Sequence, residues 1–141
     1  MLPREASDPA RLFIAYPFQP EAEAVLDSLI LPILRRKGIR FVTGMDKERS
    51  EGNIVRNLRE TIASCSAMVA VVVGRNPNVF FEIGVASALQ KPCLLVASRP
   101  SDAGMMQGAY PIIITTPSKR AVQELGRHLN VLNRILESAC A

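Results

Sequence analysis

Short apolar runs alternate along the chain with stretches in which apolar residues return every three or four positions. The runs Leu12 to Tyr16, Arg40 to Thr43, Met68 to Val73, Cys93 to Ala97 and Tyr110 to Thr115 are rich in Val, Ile, Phe and Leu and read as five strands. Between the first two, Ala22, Val25, Leu26, Leu29, Ile30, Ile33 and Leu34 mark one face of a helix over 21–37, stopped by Gly38. Pro32 falls inside that helix and is expected to kink it. A second helix over 53–65 carries Ile54, Val55, Leu58 and Ile62 on one side, and a third starts near Pro77. A fourth, capped by Ser118, presents Ala121, Val122, Leu125, Leu129, Leu132, Ile135 and Leu136. Strands this apolar, separated by helices, predict an α/β three-layer sandwich with a parallel sheet covered on both faces. Residues 98–109, rich in Ser, Gly and Met without a period, are expected to form a mobile loop able to close over a ligand.

The chain of 141 residues is 48% apolar and 21% charged, which suits one domain with a real core over residues 11–141. Residues 1–10 hold charges and prolines without an apolar run, so they read as a flexible tail and not as a signal peptide or anchor. No membrane association is expected. Seventeen basic against thirteen acidic residues give a net charge of +4, but the excess is scattered, and with five Phe, two Tyr and no Trp a base-stacking nucleic-acid surface is not expected. A small anionic ligand fits better. Cys65, Cys93 and Cys140 show no metal spacing, and three thiols do not make a disulfide framework, which points to a reducing, cytoplasmic setting.

In a doubly wound sheet, ligands bind beyond the carboxyl ends of the strands. The segments leaving those ends are 16–19, 44–47, 74–78 and 98–101. Asn76 is a good helix cap and Pro77 a good first helical residue, so Glu82 falls about one and a half turns into a helix, on a face otherwise apolar except for Asn78. A carboxylate there must lie at the edge of the apolar stripe, find a partner or do chemistry. His128, the only histidine, lies on a helix away from these segments, and Ser98, Ser101 and Cys93 have no base at motif spacing. A P-loop and a dinucleotide glycine fingerprint are both absent from the sequence.

The run Phe13-Ile14-Ala15-Tyr16-Pro17-Phe18, then Glu21, Val25 and Pro32, Asp46 after the second strand, Gly52-Asn53-Ile54, and above all Arg75-Asn76-Pro77-Asn78-Val79-Phe80-Phe81-Glu82-Ile83-Gly84 with Lys91-Pro92 downstream stand in a recognisable order. Together they resemble the nucleoside 2-deoxyribosyltransferase-like superfamily, most closely its bacterial TIR-like nucleotide-binding branch found in antiviral defence. The resemblance implies a flavodoxin-like (TIR-like) fold, a small-molecule nucleotide as ligand and a homo-oligomer. It implies N-glycosidic cleavage with Glu82 catalytic at the anomeric carbon: NAD hydrolysis first, and a nucleoside or nucleoside-monophosphate N-glycosidase or deoxyribosyltransferase second. An oxocarbenium-like centre needs an anionic carboxylate on one face, and no metal or redox cofactor is called for. It puts Asn78, Asp46 and Ser66 at the ribose and Tyr16, Pro17 and Phe18 at the base, with the capping Asn76 also among the substrate-binding residues, and Arg75 beside a helix N-terminus is expected to meet phosphate. Relatives carry aspartates where this chain has Ser66 and Val71, which makes a non-catalytic nucleotide-sensing or oligomerisation module the alternative.

Overall fold

The computed structural model describes residues 11–43, 54–115 and 119–139. Five parallel strands, β1 (Arg11–Ala15), β2 (Arg40–Thr43), β3 (Ala67–Val72), β4 (Cys93–Ala97) and β5 (Ile112–Ile114), form one sheet in the order β2-β1-β3-β4-β5. This is the flavodoxin-like α/β arrangement expected from the sequence. The order reverses between β1 and β3, so a crevice opens where their carboxyl ends diverge.

Because successive strand residues face opposite ways, β1 sends Leu12 and Ile14 to one face and Phe13 and Ala15 to the other. The first face packs on helices α1 (Pro20–Val25), α2 (Leu31–Lys37) and α5 (Lys119–Ala139) through Ala22, Ile33, Leu34, Leu125 and Leu129. The second packs on α3 (Ile54–Ser64) and α4 (Pro77–Ala88) through Ile62, Val79, Ile83 and Ala86. Both faces are covered, and Leu12, Phe13 and Ile14 are all fully buried.

The first predicted helix is split. A π turn, Leu26–Ile30, separates α1 from α2, and the Leu31 amide donates to the Leu26 carbonyl. Pro32 supplies no N–H, and its ring would strike the carbonyl one turn back; the widened turn absorbs both, where a simple kink was expected. The fifth strand is shorter than its apolar run because Pro111 has no amide to donate, although its carbonyl still accepts from Leu95 at 3.0 Å.

The segment 98–109 needs correcting. It is not a loop throughout but folds within Pro100–Met106 as two 3₁₀ turns broken at Gly104 (φ 55°), started by Pro100, with Asp102 buried and Ala103 packed in the layer of α3 and α4. Short 3₁₀ turns leave no 3.6-residue period to detect.

Helix α4 ends in a Schellman pair: the Gln90 amide donates to Ser87 and the Lys91 amide to Ala86. That geometry puts Gln90 at φ 57°, a left-handed conformation that costs a side-chain residue about 1 kcal/mol or more. The variant Gln90→Gly is expected to raise stability by roughly 0.5–1 kcal/mol after glycine's own entropy cost, read as a higher urea midpoint with an unchanged slope. A lower midpoint would count against the strain.

Candidate functional site

The strand β3 ends in a two-residue turn, Gly74 at φ 65° and Arg75 at φ 54°, which swings the chain back over the sheet edge. Asn76 then takes an extended conformation, and its side-chain Oδ1 accepts from the amides of Asn78 (3.0 Å) and Val79 (3.3 Å). Such a cap is worth about 1 kcal/mol, and Pro77 fixes the first helical turn. The start of α4 is therefore set by local chemistry. Val79, Ile83 and Ala86 bury one stripe of α4 against the sheet, and Glu82 sits half-buried at the edge of that stripe.

On the other side of the strand-order reversal, β1 runs into Tyr16-Pro17-Phe18. The rings of Tyr16 and Phe18 meet edge to face, 5.6 Å apart at 81°, and Pro17, between them in the chain, is buried. The two loops touch: the side-chain oxygen of Gln19 lies 3.7 Å from where a Cβ on Gly74 would project.

Between them opens a cavity of about 230 Å³. Tyr16, Pro17 and Phe18 form one wall, Asn76, Asn78, Phe81 and Glu82 come from the β3–α4 corner, and Val55 and Leu58 reach in from α3. Glu82 is the one carboxylate among these described lining residues. Asn78, Phe81 and Glu82 share a helix face through their i, i+3 and i+4 spacing. The arrangement is a slot with apolar sides and a polar corner made by Glu82 and Asn78.

Six of the residues expected from sequence, Tyr16, Pro17, Phe18, Asn76, Asn78 and Glu82, thus meet. Arg75 is exposed on the turn and is not part of the cavity wall. Ser66 is at the opposite pole. Its amide donates to the Arg11 carbonyl at 3.0 Å, where β1 and β3 begin, roughly 20 Å from the rim at about 3.3 Å per strand residue. A ribose-holding role for Ser66 does not fit that position. Asp46 and residues 44–53 lie outside the described residues, as do Ser118, Cys140 and the tail 1–10. Val71 is fully buried on the α1, α2 and α5 side, away from the cavity.

Phe81, Val55 and Leu58 were not singled out from sequence. The signal was present in Phe81 standing three residues after Asn78 and in the i, i+3 spacing of Val55 and Leu58, but nothing local says that α3 and α4 face each other across a slot.

No protein-family model matches the sequence, and no curated sequence matches it. Solved structures do. A CMP N-glycosidase of Clostridium botulinum superposes with a TM-score of 0.64 at 19% identity, over 84% of this chain and 98% of that one. A 2-deoxyribosyltransferase of Bacillus psychrosaccharolyticus gives 0.53 at 16% identity, over 82% and 81%. The TIR domains of the activated Roq1 resistosome give 0.54 at 13%, over 91% and 84%. The chain has the fold shared by nucleoside deoxyribosyltransferase-like and TIR-like proteins.

Away from the slot, among the described residues no three His, Cys, Asp or Glu side chains gather where a metal ion could sit, and no helix is long and apolar enough to cross a membrane. Cys65 and Cys93 are free, buried thiols. Burial pushes the Cys65 thiol up, partly offset by the Arg11 guanidinium beside it, and pushes Cys93 up from 9.0 to about 12. Cys93 stays protonated in the fold at a pH where the unfolded chain would lose that proton. Its contribution to stability is therefore complete below about pH 9 and is lost as pH rises toward about 12. Urea melts at pH 8 and pH 10.5 should show a steeper fall for wild type than for Cys93→Ala; equal falls would discount the thiol.

Proposed function

We propose that this protein cleaves the N-glycosidic bond of a nucleoside or nucleotide, with Glu82 acting at the anomeric carbon. The observation that carries this reading is the placement of Glu82, the one carboxylate among the described wall residues, at the polar corner of an apolar slot above the strand-order reversal. A base is a flat, largely apolar ring and suits the walls; a pentose is a ring of hydroxyls and suits the corner.

In the reaction the C–N bond breaks with its electrons going to the base, which takes up a proton. The anomeric carbon becomes oxocarbenium-like, and the Glu82 carboxylate stabilises it or bonds to it until water or an acceptor base replaces the carboxylate. Asn78, one turn earlier, would hold a sugar hydroxyl, and Tyr16, Pro17 and Phe18 would wall the base. The fold shared with an N-glycosidase and a deoxyribosyltransferase supports the same reading. At about 230 Å³ the slot is smaller than the roughly 300–1,000 Å³ of drug-sized sites. NAD, the substrate that the sequence resemblance puts first, would enter by its nicotinamide riboside half, whereas a nucleoside or its monophosphate would enter whole.

The test is chromatography of the protein, dilute and concentrated, with NAD, nucleosides and nucleoside 5′-monophosphates. Release of nicotinamide or a free base supports the proposal, and a new nucleoside formed when a second base is added identifies transfer. No breakdown of any substrate at either concentration would overturn it.

A further inference from the structure

Three large apolar side chains that the fold leaves open to water converge on the slot: Phe18 is 53% exposed, Phe81 46% and Val55 57%. Each contributes more apolar surface to solvent than a core position would, and each belongs to a different element: the β1–α1 loop, α4 and α3. Pro17 is buried while its neighbour Phe18 is not, so the loop has apolar residues to bury and still turns one outward. Tyr16 holds Phe18 edge to face, which fixes the ring's attitude without covering it.

We propose that Phe81, with Val55 and Leu58 of α3, forms the second wall of a base clamp whose first wall is Tyr16 and Phe18, and that Phe81 thereby determines substrate affinity. The inference rests on the reading of Glu82 as the group that meets the sugar. Phe81 precedes Glu82 by one residue on α4 and shares a cavity face with Asn78, so a nucleoside with its sugar at Glu82 and Asn78 brings its base level with Phe81. The side-chain oxygen of Asn76 is committed to the helix cap. The walls formed by the described residues meet a base through its flat faces, which every purine and pyrimidine has. These walls accept bases of either class and respond to the presence of a base rather than to its hydrogen-bonding edge.

The test uses the Glu82→Gln protein, so that binding is measured without turnover, and titrates it calorimetrically with adenosine and cytidine. Both should bind with affinities within about tenfold of each other. Adding Phe81→Ala should weaken both on the order of 10-fold to 100-fold, and Phe81→Tyr should keep most of the affinity. In the active protein Phe81→Ala should raise KM and leave kcat nearly unchanged. A more than 100-fold preference for one base would overturn recognition by faces. Unchanged affinity in Phe81→Ala, with a normal urea midpoint, would overturn the clamp, as would a change in oligomeric state as its only effect. Binding that depends on Phe81 without turnover by wild type would sink the glycosidase reading and leave the clamp standing. No binding of either nucleoside would overturn the clamp, and base release from a nucleotide in that case would leave the glycosidase reading standing.

Discussion

Changing Glu82 to glutamine is expected to abolish base release, with a loss on the order of 10³-fold or more in kcat/KM and little change in stability. The two side chains have the same shape, so the half-buried position at the edge of the α4 stripe is filled as before. What disappears is the negative charge at the polar corner of the slot. An amide can neither balance an oxocarbenium-like centre nor serve as a good nucleophile toward it, so the effect falls on the chemical step. Glu82→Gln should therefore bind substrate about as wild type does while failing to turn it over. The result that would count against Glu82 is a variant retaining more than about a tenth of wild-type activity. Equal loss of binding and of thermal stability would instead make the residue structural.

The largest effect on stability is expected from Phe13→Ala, at about 3–5 kcal/mol. Phe13 is fully buried on β1, level in register with Val42 of β2 and Met68 of β3, and faces the layer of α3 and α4. Truncating its ring opens a cavity in that layer, which two neighbouring strands and a helix pair cannot close without breaking their own contacts. Typical domains have only about 5–15 kcal/mol in total, so the variant should show a sharply lower urea midpoint and partial unfolding near body temperature. Phe13→Leu keeps most of the volume and should cost much less. A loss below about 1 kcal/mol for Phe13→Ala would mean that the layer collapses freely around the gap. The same strand feeds Tyr16-Pro17-Phe18, so activity should fall in step with the folded fraction.

The local parts of this site were legible in the residues. Asn76 followed by Pro77 specifies a helix start by hydrogen bonding and a fixed φ, and both act within four residues of chain. Glu82 stood out because a charge beside an apolar stripe needs a physical reason. Strands β1, β3 and β4 were legible as apolar runs because both sheet faces are covered, which removes polar residues from the pattern. The π turn was only half legible: Pro32 announced a disturbance, but whether the helix bends or widens depends on how Leu26 and Ile30 pack beneath it.

Ser66 and the 98–109 segment show where local reading stops. Ser66 belongs to the start of β3, and assigning it to the sugar requires knowing which pole of the sheet carries the slot. Two 3₁₀ turns either side of Gly104 bury Asp102 and Ala103 in a segment whose composition resembles a loop.

The sequence by itself determined the alternation of strands and helices and the cap that launches α4, and it marked Glu82 as a charge beside an apolar stripe, since each depends on residues within a few positions of one another. Only the tertiary structure decided that β1 and β3 are neighbours, that their loops enclose a slot, and that Phe81 closes it with Val55 and Leu58 of α3. Those adjacencies arise from burying apolar surface between residues far apart in the chain, and hydrophobic burial is non-directional, so a local pattern states that a face must be covered without naming what covers it.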